Sequence, residues 1–180
     1  MLPNFNTRFE NAVKALEQVI LPAIPNEQSL AREQTLLLIN HLQLIGIQWK
    51  PAVKFELTSY NRLCELARAM LESKDSNVTQ EIGKALQSAL NDRERLDQND
   101  LDEIERAKSE LGLLIDRVIS GSESSKPLGP TITEAILDYG ARQAWCDRVW
   151  FSSTKLDPEN HELPTIDHML SEEVSSGAVS

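Results

Sequence analysis

The sequence predicts an all-α protein: an antiparallel bundle of five to six helices, followed by a poorly ordered C-terminal tail. Three observations predict this class. Apolar residues recur every three or four positions over long stretches, which places them on one face of a helix. Helix-favouring Leu, Glu, Ala, Gln and Arg are plentiful, and Gly accounts for only 7 of 180 residues. Val, Ile and Thr never form a run of alternating character, which a half-buried strand would need.

Six segments carry the helical pattern. They span Thr7–Leu21, Asn26–Ile47, a third segment starting between Pro51 and Ser59 and ending at Glu72, a fourth capped by Thr79 and ending near Asn91, Asp100–Ser120, and Thr131–Phe151. Apolar residues cover most of the circumference of the second helix, so we expect it to be the most buried.

Particular residues predict where these helices begin and end. Pro22, together with Pro25, is expected to end the first helix, because a proline inside a helix clashes with the preceding turn. Glu56 would lie among apolar residues if 52–58 were helical, which favours a start of the third helix near Ser59. Gly121 is expected to end the fifth helix, as glycine often does.

Three acidic residues, Asp97, Asp100 and Glu103, lie where the fifth helix begins. Carboxylates at that end of a helix stabilise its dipole. Acidic pairs on helices also hold magnesium in some enzymes. The capping interpretation is favoured, because no second acidic motif faces inward elsewhere.

The predicted domain organisation is one helical bundle domain, residues 1–151, and a C-terminal tail, residues 152–180, that is partly disordered. Within this tail the stretch 163–173 has the apolar spacing of a short amphipathic turn, with Ile166, Met169 and Leu170 on one side.

The formal net charge of −10 makes phosphate backbones and anionic membranes poor partners, since no basic cluster offsets it. The longest apolar run, Leu36–Ile39, is far too short to span a membrane, and the first residues lack the pattern of a secretory leader. We therefore predict a cytoplasmic protein that binds neither nucleic acid nor membrane. Cys64 and Cys146 match no metal or redox spacing, which predicts reduced, buried thiols.

No catalytic motif is evident. The chain has no Glu-x-x-His pair of the di-iron bundles, no Gly-x-Ser-x-Gly and no phosphate-binding loop. The sequence thus predicts no catalytic residue, no metal site and no cofactor. A non-enzymatic interaction or accessory module is the favoured function.

Gln34 and His41 interrupt an apolar stripe of the second helix. They are seven residues apart, nearly two turns, so both project to the same side. One interpretation is a small-molecule binding or hydrolytic site inside the bundle, with Tyr60 as a further member. The alternatives are two core side chains that neighbours satisfy, or a partly exposed edge.

The last long helix carries a second candidate surface, formed by Asp138, Arg142, Trp145 and Val149. This helix is apolar on two sides, as expected if one side contacts a second body. A homodimer or another protein partner would bind there. The alternative is that the C-terminal tail covers Trp145.

Residues 9–120 resemble an uncharacterised family of small bacterial all-helical proteins. The resemblance lies in Leu16–Pro22, in Ala31-Arg32 followed by Leu36–Asn40, and in the acidic linker and Leu/Ile-rich helix of Leu96–Ile119. Members are often encoded beside aminoglycoside-phosphotransferase-like and acyl-CoA-dehydrogenase-like proteins. The resemblance therefore implies an accessory role beside such an enzyme, and it assigns no catalytic residue.

Overall fold

The computed structural model describes residues 4–73, 78–122, 127–154 and 160–177, and these residues form helices, turns and loops without any strand. The all-α prediction is confirmed. Seven helices are present in this part of the chain, so the predicted number of five to six is wrong. None of them is both long and apolar enough to cross a lipid bilayer.

The helices are numbered in chain order. Helix α1 comprises Phe5–Ala15, Leu16–Ile20 and Leu21–Ala23, and it is followed by α2 (Ser29–Gln48), α3 (Ala52–Glu72), α4 (Gln80–Asp92), α5 (Leu101–Ser122), α6 (Pro130–Trp150) and α7 (Ile166–Gly177). Short 3₁₀ turns occur at Arg93–Arg95, Ser152–Thr154 and Asn160–Glu162.

The chain forms two compact units. Unit 1 consists of Met1–Pro51 and Arg148–Leu163, and unit 2 of Ala52–Asp147 and Pro164–Ser180. Unit 1 therefore contains α1 and α2, and unit 2 contains α3, α4, α5 and α7. The predicted boundary at residue 151 is a different division of the chain and stays a prediction.

Helix α1 continues through Pro22, where the sequence predicts its end. Proline donates no hydrogen bond, and its ring clashes with the carbonyl four residues earlier in a regular α-helix. The preceding segment Leu16–Ile20 adopts the wider π-helical turn, and the Leu21 amide donates to the Leu16 carbonyl five residues back. Widening the turn at this place accommodates the proline ring, so α1 ends at Ala23.

Helix α3 begins at Ala52, directly after Pro51, so the favoured start near Ser59 is wrong. The charge of Glu56 does not prevent helix formation, because its carboxylate pairs with the Lys108 ammonium on α5. An ion pair between two helices thus stabilises a carboxylate that the sequence pattern places among apolar residues.

The predicted starts of α4 and α5 are confirmed by their caps. The Thr79 hydroxyl accepts from the Ile82 amide at 3.2 Å. The Asp100 carboxylate accepts from two amides of the first turn of α5, at 3.0 and 3.2 Å. Glu103 accepts in turn from the Asp97 amide. These acidic residues therefore cap the helix. The predicted stop at Gly121 is wrong, because α5 continues to Ser122.

Unit 2 has a continuous hydrophobic core, in which α3 packs against α4, α5 and α7 and α4 packs against α5. The buried side chains of its main cluster are Tyr60, Leu63, Cys64, Leu66, Ala67 and Met70 of α3, Leu86 and Leu90 of α4, Ile104, Leu111, Ile115 and Val118 of α5, and Ile132 of α6. Helical spacing predicts an inner face for each of α3, α4 and α5, and ten of these thirteen residues lie on those faces, which confirms the helical periodicity. The ten are Leu63, Leu66, Ala67, Met70, Leu86, Leu90, Ile104, Leu111, Ile115 and Val118.

The C-terminal residues contain a helix that the predicted count leaves out. Met169 and Leu170 of α7 are fully buried, at 0% and 1% exposure. The helix extends over 166–177, beyond the predicted short turn. Residues 155–159 and 178–180 of the predicted tail lie outside the described residues.

Candidate functional site

Helices α1 and α2 meet through polar and small residues. Gln43 Nε2 donates to Glu17 Oε1 at 3.3 Å, and Trp49 Nε1 donates to Asn6 Oδ1 at 2.9 Å. Gly46 lets the backbones approach, since a Cβ added there would meet the Phe9 Cβ at 3.6 Å. The side of α2 that carries residues 43 and 46 is therefore the side that faces α1.

Arg32 closes the other end of this helix pair. One guanidinium nitrogen, Nη1, donates to the carbonyls of Leu21 and Ile24, at 3.1 and 2.9 Å. The Leu21 carbonyl belongs to the last turn of α1 and also accepts from the Ile24 amide at 3.3 Å, whereas the Ile24 carbonyl directly follows the end of the helix. Arg32 thus acts as a C-terminal cap in trans, and its charge complements the negative end of the helix dipole.

A cleft of about 520 Å³ lies within unit 1 along α1 and α2. Its lining residues are Asn6, Phe9, Glu10, Val13, Lys14 and Glu17 of α1, Asn40, Leu42, Gln43, Leu44, Gly46 and Ile47 of α2, and Ser153. Two carboxylates face one ammonium among them, so the cleft combines apolar walls with a slightly acidic lining.

The opposite side of α2 carries the feature that distinguishes unit 1. On this side Gln48 donates from its amide to the Trp150 carbonyl at 2.9 Å. With ~100° per residue, six further positions, from Leu30 to Ile45, fall within an arc of about 100° that points away from Gln43 and Gly46. We call them the α2 stripe: Leu30, Gln34, Leu37, Leu38, His41 and Ile45. The four apolar members are 68%, 45%, 48% and 45% exposed, in chain order. Only Ile39 and Leu44 of this helix are buried, so the expectation that α2 is the most buried helix is wrong.

The three residues of the predicted small-molecule site belong to two different units. Gln34 and His41 are exposed members of the α2 stripe, in unit 1. Tyr60 is buried in the core of unit 2. Burial raises the pKa of its phenol well above the ordinary value, and its hydroxyl is hydrogen-bonded to Cys64. The cleft described above is lined by residues other than these three.

The four residues of the predicted interface on α6 differ in their surroundings. Val149 is fully buried, at 0% exposure, and Trp145 is half-buried. Asp138 and Arg142 are exposed. Arg142 is bonded to α7, since its Nε donates to Glu173 Oε1 at 3.0 Å.

A buried guanidinium organises this part of unit 2. Arg62, 6% exposed, donates from Nη1 to Glu173 Oε2, and from Nη2 to Gln143 Oε1 at 2.8 Å and to the Ser59 hydroxyl at 3.2 Å. Its Nε has no hydrogen-bond partner. The carboxylate of Glu173 also bonds Arg142, so it joins α7 to α3 and α6.

A second cleft, about 250 Å³, lies beside this centre and is also lined by acidic and basic groups. It is bordered by Arg62, Glu65, Leu66 and Ala69 of α3, and by Ala135, Asp138, Tyr139 and Arg142 of α6. Two carboxylates balance its two guanidinium groups, which gives the cleft no net attraction for either sign of charge.

Sequence reasoning missed both Arg62 and Glu173. A signal was present for each. Arg62 lies four residues before Leu66 and therefore on the inner face of α3, where an ionised group needs a buried partner. Glu173 lies three residues after buried Leu170 and four after Met169, so it faces the same side of α7.

The two cysteines are buried free thiols, as predicted. Burial raises the pKa of both the Cys64 and Cys146 thiols above the ordinary value. Both therefore stay protonated at neutral pH, which makes them poor nucleophiles. Within the described residues no group of three or more His, Cys, Asp or Glu side chains gathers where it would hold a metal ion.

Comparison of the chain with protein-family models, curated proteins and solved structures gives no match.

Proposed function

We propose that this chain is a non-enzymatic interaction module whose docking surface is the α2 stripe. One observation carries the proposal: a helix of twenty residues presents a row of half-exposed leucine and isoleucine side chains on the side opposite its own packing partner, α1. Burying one such side chain fully is worth ~1.5–3 kcal/mol, so a fold that leaves a whole row in water forgoes much stabilisation.

Exposed apolar surface is concentrated in unit 1. Of the thirteen large apolar side chains that are exposed among the described residues, eleven belong to this unit: Phe5, Val19, Ile20, Leu30, Leu36, Leu37, Leu38, Ile45, Ile47, Trp49 and Phe151. Single exposed apolar residues are ordinary, but a contiguous patch indicates a site where another molecule docks. The two exposed in unit 2, Leu113 and Leu137, lie on different helices.

The proposed interaction surface therefore lies on α2, whereas the sequence predicts one on α6. Val149 is covered within the chain, and Arg142 is engaged by Glu173, so these two side chains contribute little to a free surface. The accessory role that the family resemblance implies is also a non-enzymatic interaction, so we include it in the proposed function.

We also propose that the helices of the bundle are antiparallel, and the contacts between α1 and α2 support this arrangement. Within unit 1, Asn6 bonds Trp49 and Phe9 lies beside Gly46, whereas the end of α1 is capped by Arg32 near the start of α2. Contacts thus run in opposite order along the two helices, which supports an antiparallel pair.

Equilibrium unfolding of two matched variants tests the proposal. In Leu37→Ser/Leu38→Ser the stripe loses two leucines, and in Leu113→Ser/Leu137→Ser unit 2 loses two exposed leucines elsewhere. If the stripe is a docking face, the free energies of unfolding of the two variants at low protein concentration differ by less than ~1 kcal/mol. A stripe variant that loses ~2 kcal/mol or more per leucine beyond the control would show that the stripe belongs to the chain's own core.

A further inference from the structure

The α2 stripe is symmetric about its own midpoint, the peptide bond between Leu37 and Leu38. Gln34 and His41 lie at equal distances on either side of this midpoint. Leu30 and Ile45 lie further out, again at equal distances. The order apolar, polar, apolar, apolar, polar, apolar therefore reads the same in both directions along the helix.

We propose that the α2 stripe binds the α2 stripe of a second copy of this chain, with the two helices antiparallel about a two-fold axis at that midpoint. This inference rests on the proposed docking function and names its partner. A two-fold interface brings the same patch of both copies together, so the patch must be complementary to itself. In this register Leu30 faces the second copy's Ile45, Leu37 faces its Leu38, and Gln34 faces its His41.

The polar pair fits this arrangement chemically. The amide of Gln34 has both a donor and an acceptor, and a neutral imidazole likewise has one nitrogen that donates and one that accepts. The two-fold axis creates two such Gln–His pairs, one on each side of the apolar centre. A shift of one turn would place each amide and imidazole against an aliphatic side chain and leave it unpaired, so the polar pair fixes the register.

The local charge of α2 permits a second copy to approach. The net charge of −10 disfavours anionic lipid surfaces and nucleic acids, but it also repels a second copy, so the charges at the stripe itself decide whether two copies can meet. From Gln34 to Gln48, α2 contains no Asp, Glu, Lys or Arg. Glu33, which borders the stripe, would face the second copy's Leu42 in this register. Two copies can therefore meet here without bringing like charges into contact.

The size of the surface predicts how strong the dimer is. The fifteen residue steps from Leu30 to Ile45 span ~22 Å of helix, the length of a short helix-to-helix contact. Interfaces of less than ~1,200 Å² are typical of transient complexes. The dimer is therefore expected to form and dissociate with protein concentration.

Disulfide trapping with two variants that each carry one added cysteine, Gln34→Cys and His41→Cys, tests both the partner and the register. The native thiols Cys64 and Cys146 are fully buried and do not compete. In the antiparallel register, position 34 lies opposite position 41 of the other copy. Two copies of position 34 are ~10 Å apart along the axis, beyond the reach of a disulfide. The variants are mixed in equal amounts, oxidised, and the three possible dimers are separated by mass.

The expected result is a mixed 34–41 disulfide at least ~10-fold more abundant than either homodisulfide, because only the mixed pair meets the geometric requirement. A statistical mixture, or a majority of homodisulfides, would overturn the antiparallel register. A yield no higher than that of the exposed control variant Leu113→Cys would overturn self-association. The unfolding comparison of the leucine variants tests the docking function separately. The docking function and the binding of a second copy can therefore fail independently.

Discussion

Replacing Glu173 with glutamine should destabilise unit 2 far more than the same replacement one residue earlier. The Glu173 carboxylate bonds Arg62 and Arg142, and its side chain is 7% exposed, as is that of Arg62. Removing one partner of a buried ion pair typically costs 3–5 kcal/mol, because the remaining charge is left without compensation. Glutamine keeps one acceptor oxygen, so we expect a loss near the lower end, about 3 kcal/mol.

Glu172→Gln is the matched control. The Glu172 side chain is 58% exposed and lies 3.6 Å from an equally exposed His168, and such surface pairs contribute at most ~1 kcal/mol. In thermal unfolding, ~3 kcal/mol corresponds to a decrease in Tm of roughly 6–12 °C for a chain of this size. Amide hydrogen exchange in α7 should accelerate in Glu173→Gln and not in the control.

Urea unfolding monitored by circular dichroism measures the difference. If Glu173→Gln loses no more stability than Glu172→Gln, the Glu173 carboxylate does not compensate the buried Arg62 charge, contrary to the prediction. A second variant separates charge from packing: Arg62→Met/Glu173→Met should recover most of the lost stability, because an apolar pair needs no compensation.

The remaining predictions concern pH and helix capping. Burial raises the pKa of Cys64, Cys146 and Tyr139, so the folded state keeps protons that the unfolded chain releases above the ordinary pKa of these groups. The contribution of these three groups to stability is therefore complete below about pH 8.5 and decreases as pH rises toward the folded pKa values, with each group contributing a loss of at most ~1.4 kcal/mol for every tenfold fall in proton concentration. Urea midpoints that stay constant from about pH 8 to 11 would contradict this. Arg32→Met should lower the free energy of unfolding by about 1–3 kcal/mol, because the Ile24 carbonyl loses the Arg32 donor and the Leu21 carbonyl keeps only the Ile24 amide. Arg68→Met, at an exposed position of α3, should change it by less than ~0.5 kcal/mol in the same urea titration.

Helical periodicity was sufficient for most of unit 2. The residues that it places on the inner faces of α3, α4 and α5 are those that the structure buries, such as Leu63, Leu86 and Ile115. The helix caps at Thr79 and Asp100 were also predictable from the sequence, because a cap depends on neighbours within three residues.

Periodicity failed for α2 for a physical reason. It identifies an apolar face but does not say whether the same chain covers that face. A sequence rich in Leu and Ile around the whole helix therefore predicts burial, whereas Leu30 and Leu38 are among the more exposed apolar residues. An apolar face meant for a second molecule has the same sequence signature as a core face.

The sequence also did not predict which residues far apart in the chain form ion pairs. Arg62 and Glu173 are separated by 111 positions, and the helix that carries Glu173 is short and weakly patterned. The passage of α1 through Pro22 depends on a local π-turn, whose geometry no residue type specifies by itself.

Sedimentation equilibrium of the wild-type chain and the two leucine double variants, over a range from about 1 to several hundred micromolar, tests the docking role of α2 most directly. If the α2 stripe is the docking surface, the wild type shifts from monomer to dimer with concentration, and the Leu113→Ser/Leu137→Ser variant does the same. The Leu37→Ser/Leu38→Ser variant stays monomeric while folded. A stripe variant that dimerises as strongly as the wild type would contradict it.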